Sequence, residues 1–513
     1  MLDAARFTLY QAAMSAFTVA SFRTQKVMDL QVPQATSVAF QPFAESFPEL
    51  PIVGLVDPIE FPGEEARVRR IALSTALLGV VSKAAPTRTR PVPADHAAFL
   101  RAVYPRLLAQ AWSRPPEVPE SLRSAARDPA VDLIAELAVD GPFGSYLRAE
   151  VDDQGRATGQ FVVDVDWLVA YRPRVGLLAP GGVARLAVVD GRLSTVGLAR
   201  GGAQVPLAGW RGRQVERDAF LAGLNEDLTT IRHNLFVHLA TLTPFAIAST
   251  NRLAPDHPVR RLLHHCFHTV LIGNHELSTL QLGGPRGFAS TIFSHDHVEV
   301  ARLATARLRH YDFWDLEPDT QFRRRGTTTT PFAYPYRDNV LELWDITLRY
   351  VRRYLALYFD DDTWSRDPQV AAWLDDLDRL LPNGLGERGS QLDWLSRVCA
   401  TLIHVSTVEH DVLNNVIWDY STLGWLIPTV APLNGDRMDA RRAFDLIATL
   451  VVTWKPYNML LTAGVPSLAL DPDGRSAMGD WIAELGAVQK RMDARGHRAS
   501  FSYPANLNVS ISN

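Results

Sequence analysis

The chain has 513 residues, 47% hydrophobic and 21% charged, with a formal net charge of -4. That length allows two or three ordinary domains or one large helical one, and the charge balance excludes a basic nucleic-acid binder and a long charged tail. Only two cysteines occur, Cys266 and Cys399, which excludes a disulfide framework and makes a reducing cytoplasm the expected compartment.

The N-terminus, MLDAARFTLYQAAMSAF, lacks the features of a signal peptide. The most apolar run, residues 71–81, is too short to span a bilayer. A soluble protein is expected, touching membranes at most transiently to collect an apolar substrate. Residues 1–30 set Phe7, Tyr10, Ala13, Met14 and Phe17 on one helical face, the pattern of a docking helix. Residues 31–63 are proline-rich and read as an extended connector. Helical patches follow at 65–81 and 94–112, before Pro115-Pro116 and Pro119 break the chain again. No evenly spaced alternating strands that would build a β-barrel are seen. Residues 1–120 are expected as a helical and irregular segment packed on the core formed by 121–513.

From Phe161 the runs FVVDVDWLVAY and RLAVVDGRLSTVGL predict a small embedded sheet, with Asp190-Gly191 as a hairpin turn. After Arg213 the pattern turns helical and stays mostly so. The stretch 231–268 carries His233 and His238 on an apolar helical pattern. Side chains five apart diverge by roughly 140° around a regular α-helix. They are either two unrelated histidines on a buried helix or, with an inserted residue, a pair that a π-bulge brings onto one face. Downstream, His410 and Asn414 stand four apart, the spacing that stacks two side chains on one helical face. Imidazole and carbonyl donors from two helices suit a first-row metal, with an iron site holding open positions for oxygen among the options.

In these residues the sequence resembles the lipoxygenase family. That family's pattern is His-x4-His on a long helix, then Ala-Thr-x-Arg-x-Leu-x3-His-Pro-x3-Leu-Leu, then His-x3-His/Asn, and an ending Asn-Ser-Ile-Ser-Ile. Here Ala248, Leu253, His257-Pro258 and Leu262-Leu263 fall in register, with Ser249 in place of threonine. Tyr334-Pro335-Tyr336 with Asp338, Leu343 and Trp344 matches a further run, and the segment from Gly283-Gly284 to Arg325-Gly326 looks like its counterpart. The resemblance covers Phe161 to the end. It implies a mainly α fold, a large helical catalytic domain with a small embedded β-sheet, in a short bacterial-type form without the N-terminal β-barrel.

The resemblance also implies a non-haem iron, with manganese as the alternative metal. Its ligands would be His233, His238 and His410, with Asn414 as a weak or outer ligand and the main-chain carboxylate of Asn513 closing the set. The implied reaction is hydrogen abstraction between two double bonds of a polyunsaturated fatty acid or similar 1,4-diene, then addition of O2 to give a hydroperoxide. No catalytic residue beyond the ligands is expected. Three positions depart from the family: Asn513 replaces the terminal isoleucine, Val509 an asparagine, and Ile417 a polar residue. Ile417 and Val509 point to an altered substrate or chemistry, or to weaker iron, whereas Asn513 keeps the main-chain carboxylate and loses only apolar packing of the terminus. The alternatives are an iron enzyme acting on a specialised metabolite or isomerising a hydroperoxide, and a non-catalytic relative that binds an apolar ligand.

Phe236, Leu242, Leu253, Ile403 and Trp418 are candidate channel-lining residues that plain core would equally use. His264-His265, His268 and His275 form a second cluster, and Ser294-His295-Asp296-His297 a third. Neither shows a zinc motif such as His-Glu-x2-His. The former is expected to be structural and the latter a solvated loop.

Overall fold

The computed structural model describes residues 30, 32, 37–42, 53–55, 122, 131–205, 210–268, 270–284, 287–415, 427–433, 459–497 and 502–511. The expected helices at 1–30, 65–81 and 94–112 lie outside the described residues, as does most of segment 1–120. Ile417, Trp418 and Asn513 also lie outside them.

Within the proline-rich stretch, β1 (Phe40–Pro42) and β2 (Val53–Leu55) pair antiparallel. Helix α1 (Leu133–Val139) is capped by Asp132, which accepts from Ala135 N and from Thr195 Oγ1 and so ties the helix to the sheet. That sheet is an antiparallel meander of β3 (Arg148–Val151), β4 (Ala157–Asp164), β5 (Val183–Val189), β6 (Arg192–Arg200) and β7 (Ala203–Val205). Asp190 and Gly191 both take positive φ, 50° and 75°, the type I′ turn that an Asp-Gly pair encodes. The expected strand from Phe161 ends early. Asp164 Oδ1 accepts from Asp166 N, and Asp166–Ala170 coils into a 3-10 turn. Phe161 meets the Phe332 ring edge-on at 5.0 Å, joining sheet to helical body.

The body is helical. Helix α2 (Trp210–Glu226) runs on through a π-helix, Asp227–Leu242, into α3 (Thr243–Arg252). Then come α4 (Pro258–Leu263), α5 (Val270–Glu276), α6 (Phe288–Ile292), α7 (His297–Leu308), α8 (Pro318–Arg324), α9 (Pro335–Leu355) and α10 (Pro368–Leu380). Helix α11 (Leu392–His404) passes through a second π segment, Val405–Glu409, into α12 (His410–Asn415), and α13 spans Pro472–Arg495. Proline opens α4, α8, α9, α10 and α13, where the missing N–H costs nothing. Asp367 and Asp471 cap α10 and α13 by accepting from Val370 N and Gly474 N. Helix α9 packs against α11 and α13, with Tyr350 stacked on Trp481 at 4.7 Å. No helix among the described residues is long and apolar enough to cross a membrane.

Ser249, standing where the family has threonine, keeps a hydroxyl role by accepting from Trp373 Nε1 at 3.0 Å. In the second histidine cluster His264 and His265 are buried, and His265 lies 5.9 Å from the Trp481 ring. The third is not a solvated loop. Ser294 and His295 are fully buried because Glu226 accepts from both backbone amides and from His295 Nδ1 at 2.8 Å.

Burial pushes the His265 imidazole down to about 4 and that of His404 to about 3. Both folded values lie below the unfolded one, so below about pH 6.5 the unfolded chain takes up protons that the native state refuses. Stability is therefore complete above that pH and falls as pH drops toward 4 and then 3. Between pH 7 and 4.5 each histidine should cost roughly 2–3 kcal/mol. Denaturant melts across that window test this: His404→Leu should flatten the dependence, and an unchanged slope would contradict it.

Candidate metal centre

The five-residue spacing of His233 and His238 decides the local structure. An i→i+5 hydrogen-bond ladder sets residue n over residue n+5, which a regular α-helix does not. The Asp227–Leu242 segment adopts this ladder, and Thr243 N donates to the His238 carbonyl. Side chains stabilise it: Thr241 Oγ1 donates to Phe236 O at 2.7 Å and Thr243 Oγ1 to His238 O at 3.1 Å. At its start, Glu226 is held by the Ser294–His295 loop, and Asp227 accepts from Tyr146 OH at 2.6 Å. One helix earlier, Gly223 has no room for a side chain, since a Cβ there would sit 2.4 Å from Gly181 N. That close approach seats α2 against the loop before β5.

The second π segment does the same for His410, whose N–H donates to Val405 O. Ser406 and Thr407 hydroxyls both donate back to Ile403 O. As a result three imidazoles meet. Ring centroids lie 4.7 Å apart for His233–His238, 4.9 Å for His233–His410 and 5.1 Å for His238–His410. One nitrogen from each falls within 4.8 Å of the others, the only such metal-competent group among the described residues. Asn414 lies one turn beyond His410 on α12, half-buried. The described residues stop at Ile511, which is buried. Val509 is also buried, so the apolar residue in place of the family's asparagine is accommodated by core packing.

Hydrogen bonding fixes the state of His238. Asn274 Nδ2 donates to His238 O and to Thr243 Oγ1, so its Oδ1 must accept, and His238 Nδ1 donates to it at 2.7 Å. His238 Nε2 then carries a lone pair and faces His233 Nε2, 3.2 Å away. Neither ring nitrogen of His410 has a hydrogen-bond partner, nor does His233 Nδ1. Burial, then the charges of His238 and His410, hold the His233 imidazole well below its usual range, in the neutral form that ligates metals. The lone pair on His238 Nε2 and the unpartnered buried nitrogens of His233 and His410 fit a bound cation. The donor set fits as well: three imidazoles and no thiolate suit a first-row divalent metal. Cys266 and Cys399 are buried outside the group, their thiols pushed up by burial.

The residue that sequence reasoning missed is Asn274. It sits on an ordinary helical pattern 36 positions from its partner, and no motif marks it.

No family model matches the chain. It is 25% identical over 302 residues to the mouse polyunsaturated fatty acid lipoxygenase ALOX12, across 53% of this chain and 44% of the mouse protein. It is 28% identical over 149 residues to the linoleate 9/13-lipoxygenase of Pseudomonas aeruginosa, across 28% of this chain and 22% of that protein. The matches thus span less than half the length of either relative. Among solved structures, a calcium-dependent 11R-lipoxygenase superposes with a TM-score of 0.76 at 15% identity, over 93% of this chain and 78% of that one. Coral 8R-lipoxygenase gives 0.74 at 15% identity, over 93% and 79%. The chain is thus similar in sequence to lipoxygenases and has the fold of their catalytic domain.

Proposed function

We propose that the chain is a lipoxygenase-type dioxygenase whose residues 121–513 form the catalytic unit. His233, His238 and His410 hold a non-haem iron, with Asn414 as a further ligand. The observation that carries this reading is the convergence of three buried imidazoles from two π-bulged helices. When bound, the iron supplies the one-electron chemistry for hydrogen abstraction from a 1,4-diene and for O2 addition. The chain's own part is positional. The π ladders aim three nitrogens at one point, Asn274 keeps His238 Nε2 free of a proton, and buried apolar neighbours such as Leu235, Leu242 and Ile403 exclude water. The substrate is proposed to be a polyunsaturated fatty acid, as the names of the mouse and Pseudomonas relatives suggest for those proteins.

Iron-loaded protein offered a panel of dienoic and polyenoic acids should consume O2 and form conjugated dienes. A protein that holds iron but ignores every acid would contradict the fatty-acid substrate. That outcome would favour the second reading, the same centre acting on another 1,4-diene, to which Val509 points as an apolar residue buried where the family ending carries asparagine.

A further inference from the structure

The last described residues return to the core next to His410. Leu460 N donates to Leu507 O at 2.8 Å, Met459 and Asn508 form an antiparallel bridge, and Ser510 Oγ donates to His268 O at 3.0 Å. Leu507, Val509 and Ile511 are buried. One side chain in this arrangement has no role in the proposed ligand set. Asp411 follows His410 directly, is fully buried, and turns both carboxylate oxygens to Asn508. Asn508 N donates to Oδ2, and Asn508 Nδ2 donates to Oδ1 at 2.7 Å. The same Oδ1 lies 3.6 Å from His410 Nδ1.

We propose that Asp411 is a positioning residue, a latch that fixes the 507–511 segment against the histidine centre and couples the seating of that segment to His410. The inference rests on the reading of His233, His238 and His410 as a metal centre. A carboxyl group that accepts two hydrogen bonds from one residue fixes both its position and its register. Sequence adjacency makes the link to the centre rigid, because Asp411 and His410 share one helical turn. Without the carboxylate, the Asn508 amide and side chain lose their partners inside the core, and residues 509–511 lose the anchor nearest the centre.

The test is anaerobic Fe(II) loading of the full chain, followed by release to a chromogenic chelator, with hydrogen exchange read over 507–511. Asp411→Ala should release iron about 10–100-fold faster than wild type and raise exchange in 507–511, with the exchange of α9 and α13 unchanged. Asn508→Ala keeps the backbone bond and should show a smaller effect of the same kind, which serves if Asp411→Ala fails to fold. The swap Asp411→Asn with Asn508→Asp restores an acceptor for the backbone amide and a side-chain pair, so it should return iron release toward wild type. Wild-type release and exchange in both single variants would overturn the latch, as would failure of the swap to rescue. A wild-type protein that takes up no iron would instead overturn the metal reading itself, so the two failures are distinct.

Discussion

Replacing His238 by alanine should strip the protein of its metal. Three imidazoles converge with no thiolate or carboxylate side chain among them, so the loss of one leaves two. Structural zinc sites bind with about 10–16 kcal/mol over four donors, roughly 3 kcal/mol per ligand, and a loss of that size here is a weakening of about 100-fold or more. His238→Ala also leaves Asn274 Oδ1 without its donor, so part of any loss could come from the fold. His410→Ala separates the two effects, because neither of its ring nitrogens makes a hydrogen bond that its removal would break. His297→Ala, at the first turn of α7 and half-buried, is the control. Iron content by elemental analysis should fall to background in the first two and match wild type in the third. Equal iron in His238→Ala and wild type would refute the ligand assignment.

The second large effect is expected at Asn274, which touches no metal in this account. Asn274→Leu removes the acceptor that keeps His238 in its Nδ1–H form, so Nε2 spends part of its time protonated. Loss of such a partner weakens metal binding by about 10–100-fold. It also orphans His238 Nδ1, a cost of about 1–3 kcal/mol for the buried group left unpaired, while Thr243 Oγ1 loses a donor but keeps its bond to His238 O. Asn274→Asp divides the two roles. A carboxylate still accepts from Nδ1 and restores the tautomer, but it sets an acceptor against His238 O. Iron titration should therefore show recovery in Asn274→Asp relative to Asn274→Leu, while thermal melts show both destabilised. If the leucine variant binds iron like wild type, the tautomer argument fails.

The parts of this centre that the sequence shows are those with a period. His-x4-His is incompatible with one face of an α-helix, which leaves two unrelated histidines or a π-bulge open, and the structure has the π ladder across Asp227–Leu242. His410 and Asn414 follow ordinary helical spacing, and Asp190-Gly191 encodes its own hairpin by turn chemistry. Hidden from the sequence were the long-range polar pairs. Asn274 reaches His238, and Glu226 gathers the Ser294–His295 loop from 68 and 69 positions away. A run such as Ser-His-Asp-His reads as solvated because four neighbouring polar residues usually are. Only the buried carboxylate of Glu226 reverses that reading. The Asp411–Asn508 pair, 97 positions apart, is hidden for the same reason. Hydrogen-bond partners leave no periodic trace in a sequence.

The most direct measurement is iron analysis of the wild-type protein joined to X-ray absorption at the iron edge. The account predicts one iron per chain with scattering from three imidazoles. Protein that remains iron-free after anaerobic Fe(II) loading, or iron that lacks imidazole scattering, would contradict it.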